Sequence, residues 1–202
     1  MFTGIVDHCG VIQSLSRTSH SCRFGIQCQF SDLLEGESIL VDGVCLTAVN
    51  PEHHLFYCDV SPETMALTIV GNYHVGTKVN LERSLKLTDR MGGHFVSGHI
   101  DHTAKVSALK HYDEFTEVRI GELGEEAQVY LIKKGSIAIN GTSLTINKIV
   151  DNEIEIMLIP HTLQRTNLND LQVGCLVNVE FDMLAKMVQR MIAKQVEMGE
   201  NT

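Results

Sequence analysis

The chain contains most of itself twice. Gly43-Val44-Cys45-Leu46-Thr47 returns 98 positions later as Gly141-Thr142-Ser143-Leu144-Thr145. The same offset carries Ser38-Ile39 onto Ser136-Ile137, Pro62 onto Pro160, and Thr64 onto Thr162. It also carries Val75-Gly76, Val79-Asn80 and Glu82 onto Val173-Gly174, Val177-Asn178 and Glu180. The opening Gly4-Ile5-Val6-Asp7-His8 recurs as Gly98-His99-Ile100-Asp101-His102, at an offset of 94. The period is about twice the 20–50 residues of a solenoid repeat, so each copy must close a core of its own. Two small domains with a short tail follow, and docking between copies or chains adds the stability that cores this small lack. Two copies of one domain imply two copies of one site.

Composition narrows what that site can hold. The net charge of −9 over 202 residues argues against nucleic acid, because phosphate binding needs a basic face. Aromatic residues make up 5% and Trp is absent, so a flat ligand would rest on backbone groups, hydroxyls and aliphatic walls. Met1-Phe2-Thr3-Gly4 opens straight into the repeat, without a basic segment and apolar run of signal type. No stretch approaches the roughly 18 apolar residues of a membrane span. The six cysteines form no C-x-x-C pair, which argues against a zinc cluster or a disulfide framework. The expectation is a cytoplasmic, reduced protein with no membrane and no metal.

Short apolar runs rich in Val, Ile and Thr, each bounded by Gly, Asn, Asp or Pro, are the pattern of small antiparallel barrels. Asp42-Gly43 and Asn140-Gly141 are tight-hairpin dipeptides at corresponding positions. Ser61-Pro62-Glu63-Thr64 reads as a helix start with Ser as cap and Pro at the first turn, and Ile159-Pro160-His161-Thr162 is its counterpart. One short helix per barrel is expected before a closing Val-Asn-x-Glu strand. The boundaries expected are a first barrel with its linker over 1–93, a second over 94–182, and a terminal helix over 183–202. Met183, Leu184, Met187, Val188, Met191 and Ile192 fall at helical spacing in that tail. The stripe could pack on its own barrel, or bundle with copies of itself in other chains. The absence of a further barrel in the chain favours association.

Complementary work by two sites belongs where the copies disagree. Cys45 faces Ser143, Ile5 faces His99, Glu63 faces His161, and Ser84 faces Asp182. His99 is a proton shuttle or a hydrogen-bonded structural residue; a metal cluster with His94 and His102 lacks a nearby acid to complete it. Cys45 is a thiolate nucleophile or a small core residue. Ser143 has no His beside it in sequence, which weakens a serine-hydrolase reading. Asp182 is a helix cap or an anion near the site, and Lys134 a surface charge or a polar hook for a ligand.

Met1-Phe2-Thr3-Gly4-Ile5-Val6, both Leu-Thr motifs, Gly92-Gly93-His94-Phe95-Val96-Ser97-Gly98-His99 and Ile159-Pro160-His161-Thr162 resemble riboflavin synthases of the trimeric, two-barrel type. The likeness spans nearly the whole chain in order. It implies an all-β fold of two tandem six-stranded Greek-key barrels with a C-terminal helix that joins three chains. It also implies a transferase without cofactor that dismutates two molecules of 6,7-dimethyl-8-ribityllumazine to riboflavin and 5-amino-6-ribitylamino-uracil. The substrate pair would lie between the first barrel of one chain and the second barrel of its neighbour. A lumazine synthase is a further partner to consider. The first pocket would use Gly4, Ile5, Val6, Cys45, Leu46, Thr47, Asp59, Val60, Ser61, Pro62, Glu63 and Thr64. The second would use Gly98, His99, Ile100, Lys134, Ser143, Leu144, Thr145, Met157, Leu158, Ile159, Pro160, His161 and Thr162. Turnover would depend on His99, Cys45, Ser143, Asp182, Ser38 and Phe2. Asn140 departs from the Asp of many members, which retains a hydrogen-bonding role and removes an anionic one. The rival reading is a lumazine- or flavin-binding fluorescent antenna that shares the fold without catalysis.

Overall fold

The computed structural model describes residues 1–18 and 21–199. The first repeat forms β1 (His8–Arg17), β2 (Cys22–Gln27), β3 (Ser38–Val41), β4 (Val44–Thr47), β5 (Val49–Glu52), β6 (Leu55–Val60) and β7 (Lys78–Arg83). Helix α1 (Pro62–Leu67) precedes β7. The second repeat forms β8 (His102–Tyr112), β9 (Phe115–Gly121), β10 (Ser136–Ile139), β11 (Thr142–Val150), β12 (Glu153–Leu158) and β13 (Leu176–Phe181), with α2 (Pro160–Arg165) before β13. Helix α3 (Met183–Gly199) ends the described chain; residues 200–202 of the expected terminal segment lie outside it.

All pairings are antiparallel. The second barrel closes in the order β10-β11-β12-β9-β8-β13. The first runs β4-β3-β7-β1-β2-β6-β5, seven strands where six are expected. The extra strand is the counterpart of β11 cut in two at Ala48. Just beyond, Asn50 takes φ 45 and Pro51 brings no N–H, so the ladder against β6 slips between Val49 and Glu52.

Period-two alternation fills each barrel. Phe56, Cys58 and Val60 point inward from β6, and Ile154, Ile156 and Leu158 from β12. The first core gathers Ile12, Phe24, Ile26, Ile39, Phe56 and Leu81. The second gathers Ile120, Ile137, Ile139, Ile146, Ile154 and Ile156. Each such side chain contributes about 1.5–3 kcal/mol by leaving water. Ser61 caps α1 by accepting from the Thr64 N–H at 3.1 Å, with Pro62 at the first turn, whereas Ile159 gives α2 no side-chain cap.

The barrels meet along a seam with a local twofold. A third apolar cluster of Phe2, Leu40, Val96 and Ala138 lies there, with Cys45 packed on it. The Asp42-Gly43 and Asn140-Gly141 turns have both residues at positive φ, as the hairpin dipeptides demand, and they sit back to back. A Cβ on Gly43 would stand 2.8 Å from the Gly141 nitrogen. The Asn80 amide donates to Asn140 O at 2.9 Å, and the Asn178 amide donates to Asp42 O at 2.8 Å. Their oxygens accept in turn from Asn167 N at 2.7 Å and Ile69 N at 2.8 Å.

Helix α3 leaves Leu184, Met187, Val188, Met191, Ile192 and Val196 exposed in the single chain. No helix among the described residues is long and apolar enough to cross a membrane.

Candidate functional site

Two irregular segments, the N-terminal arm and the stretch before β8, carry the recurring Gly4-Ile5 and Gly98-His99. Phe2 and Val96 pair as an isolated bridge that joins them. Glu82, at the end of β7, accepts from Thr3 N at 2.7 Å, Thr3 Oγ1 at 2.8 Å and Gly4 N at 2.9 Å. Glu180 repeats this on Ser97 N at 2.6 Å, Ser97 Oγ at 2.7 Å and Gly98 N at 3.0 Å. Burial pushes Glu82 up to about 7 against the pull of those donors, and raises Glu180 in the same way. Each glycine, at positive φ, then turns its carbonyl to the opposite barrel. Gly4 O accepts from Ser143 N at 2.8 Å and Gly98 O from Cys45 N at 2.9 Å.

The arm also seats a histidine that sequence reasoning set aside. His94 N donates to Thr3 O at 3.1 Å, and His94 Nδ1 lies 2.7 Å from Ser143 Oγ. The missing neighbour of Ser143 is therefore supplied by the fold, 49 residues away in sequence. His94 is buried, and desolvation lowers its pKa while Asp182 pulls the other way. Its Nε2 is buried without a hydrogen-bond partner among the described residues. Asp182 also accepts from Leu184 N at 2.9 Å, so the carboxylate whose charge favours a protonated His94 also caps α3.

His94, His99 and His102 do not converge. His94 is buried against Ser143, His99 is exposed, and His102 Nε2 bonds Glu122 O at 2.7 Å. Among the described residues no three His, Cys, Asp or Glu side chains are grouped to hold a metal. Cys45 is half-buried at the seam; burial pushes Cys58 up to about 12 and Cys9 to about 11, which leaves those two as poor nucleophiles.

The remaining expected residues fall into three groups. Ser38 stands directly across the ladder from Thr47, as Ser136 does from Thr145, which sets two hydroxyls side by side on each barrel. Leu46, Leu144, Val60 and Leu158 are core, so they can offer a ligand only backbone; Met157 beside Leu158 is partly buried. Phe2 is 0% exposed and can act only by anchoring the arm. Ile100 packs against the first core, with its Cδ1 near Gly43, and Val6 is buried. Ile5, Glu63, Ile159 and His161 are exposed at the ends of their segments, with Pro160 and Thr162 partly so. Asp59 is tied to Arg23 at 2.6 Å, and Lys134 Nζ reaches Asn147 Oδ1 at 3.1 Å. Neither ion is brought to the Cys45 or Ser143 group.

Open clefts flank these residues. One of about 430 Å3 is lined by Arg17, Pro62, Met65 and Asn72, another of about 300 Å3 by Thr3, Ile5, Glu82 and Arg83. The arrangement offers paired hydroxyls, backbone groups of glycine turns, one hydrogen-bonded Ser-His pair and a thiol. That set suits orienting a small ligand and moving a proton on it.

Comparison with known proteins agrees with the duplication. The lumazine binding domain matches twice, over residues 3–84 and 97–182. The riboflavin synthase of Bacillus subtilis (strain 168) is 37% identical over 199 residues, covering 98% of this chain and 92% of that protein. The riboflavin synthase of Chlamydia trachomatis serovar D is 39% identical over 188 residues, covering 93% and 92%. Among solved structures, LumP complexed with 6,7-dimethyl-8-(1'-D-ribityl) lumazine superposes with a TM-score of 0.81 at 29% identity, covering 90% of this chain and 99% of that one. LumP complexed with riboflavin gives 0.82 at 30% with the same coverage.

Proposed function

The chain belongs to the riboflavin synthase family, as a transferase with two lumazine-binding domains, and from that premise we propose that it dismutates two molecules of 6,7-dimethyl-8-ribityllumazine. One molecule gives a four-carbon unit to the other, and the products are riboflavin and 5-amino-6-ribitylamino-uracil. The observation that carries this reading is the integrity of both copies. Each barrel keeps its Gly-turn, its Leu-Thr strand and its carboxylate-held arm.

As the family resemblance implies, the C7 methyl of the lumazine is acidic because its carbanion delocalises into the pteridine, so little general-base strength is needed. Orientation of two rings at reacting distance is the larger contribution and can be worth about 7–11 kcal/mol. In this reading the first-barrel lumazine receives a nucleophile at C7 and acts as donor. Cys45, Ser143 or water supplies that nucleophile, and His99 moves a proton. The exposed apolar stripe of α3 supports association between chains, and three chains, the number the family resemblance implies, would bring the first barrel of one against the second barrel of the next.

Mixing the purified protein with lumazine alone tests the reading. Riboflavin absorbance should grow, with one uracil product per flavin. Unchanged lumazine fluorescence would point to the antenna function instead, which intact motifs in both barrels do not favour.

A further inference from the structure

We propose that Glu82 and Glu180 are positioning residues that act across the seam, each holding in place the candidate reactive residues of the barrel opposite its own. The carboxylates belong to β7 and β13, yet neither touches the Leu-Thr strand of its own barrel through the arm it grips. Glu180 fixes Ser97 and Gly98 by three hydrogen bonds, and Gly98 O then accepts from Cys45 N in the first barrel. Ser97 Oγ also accepts from His99 N at 3.2 Å, so besides Cys45 across the seam the same carboxylate steadies His99 on its own side. Glu82 fixes Thr3 and Gly4, and these receive His94 N and Ser143 N respectively. It thereby orders the Ser143-His94 pair, which lies outside its own barrel.

The fit is tight enough to transmit small displacements. A Cβ on Gly98 would stand 2.5 Å from Cys45 Cβ, and one on Gly4 2.7 Å from Ser143 Cβ. A loop that relaxed by a few tenths of an ångström would therefore move the residue it touches. Glutamine in place of either glutamate keeps the size and one acceptor oxygen. It turns the other oxygen into an NH2 group that confronts a backbone N–H, so the three-donor grip cannot survive intact.

The turnover readout rests on the synthase reading above; the thiol readout does not, since it uses no lumazine. In full-length protein, Glu180→Gln should change the iodoacetamide alkylation rate of Cys45, followed by peptide mass spectrometry, by about fivefold or more. Glu82→Gln should leave that rate within about twofold, because the arm its side chain grips leads to Ser143 and His94, and its link to Cys45 through Leu40 is a backbone ladder the substitution keeps. Both variants should lower kcat about tenfold with KM within about threefold, the split expected of lost orientation. Should Glu180→Gln fail to fold, Ser97→Ala removes the shared hydroxyl and should shift Cys45 in the same direction. A Cys45 rate that responds equally to both glutamate variants, or to neither Glu180→Gln nor Ser97→Ala, overturns the inference. A wild-type protein that makes no riboflavin but keeps the crossed thiol pattern would remove the proposed function and leave the crossed linkage standing.

Discussion

Asn80 and Asn178 are exchanged across the local twofold: each sends its amide to the carbonyl of the other barrel's hairpin and takes an N–H from the other barrel in return. Both asparagines are buried, which shields these bonds from solvent. Replacing either by Ala orphans a backbone carbonyl and a backbone N–H at the seam. Each orphan costs about 1–3 kcal/mol, so Asn80→Ala and Asn178→Ala should each lose roughly 2–6 kcal/mol in urea unfolding. A loss below about 1 kcal/mol in both would show that the seam does not depend on them.

His94 and Ser143 form one unit, so their substitutions should not add. His94→Gln and Ser143→Ala are each expected to cut riboflavin formation about tenfold, and the double variant should fall little further. Steady-state rates of the three proteins decide it. Multiplicative losses would separate the two residues.

Three buried carboxylates should pull stability down as pH rises through the weakly acid range, outnumbering His8 and His94, whose lowered pKa values act in the opposite direction. Asp42 is buried, with burial raising its pKa from 3.8 to about 7 against hydrogen bonds from Tyr73, Asn80 and Asn167. Glu82 is raised from 4.5 to about 7, and Glu180 is raised too. A raised carboxylate holds a proton in the native state that the unfolded chain has already released. Its contribution is therefore complete below the ordinary carboxylate pKa and is lost as pH climbs toward 7. The slope is at most about 1.4 kcal/mol per pH unit for each group. Urea midpoints between pH 4.5 and 8 should show the decline. Asp42→Asn, which installs the residue its twin Asn140 already has, should flatten it; an unchanged slope would acquit Asp42.

The terminal helix makes a claim about assembly. A chain ending at Asp182 loses the exposed stripe of Leu184, Met187, Val188, Met191 and Ile192. Sedimentation should find smaller species, and riboflavin formation should weaken as the interface between chains disperses. Full activity in a monodisperse monomer would contradict a site shared between chains.

Much of the fold was legible because duplication doubles every signal. Asp42-Gly43 and Asn140-Gly141 announced their hairpins, and Pro62 and Pro160 their helices, since turn and cap chemistry is local. The seventh strand escaped notice because it depends on how Asn50 and Pro51 meet β6, a register effect. The site was half legible. Unlike positions pointed to Cys45 and Ser143, but not to His94, whose partner is set by a loop crossing between barrels. Glu82 and Glu180 were visible in a repeated Val-Asn-x-Glu, yet reading that motif as a closing strand hid the grip. A buried carboxylate aimed at a backbone segment leaves no periodic trace in sequence.

The bonds that lock Cys45 and Ser143 to the opposing glycines run from main chain to main chain. The joint is thus indifferent to which side chain occupies either place. One half can carry sulfur and the other oxygen without loosening the dimer-like clasp inside a single polypeptide. A gene that doubled itself could in this way let its halves drift toward separate duties while keeping them in register.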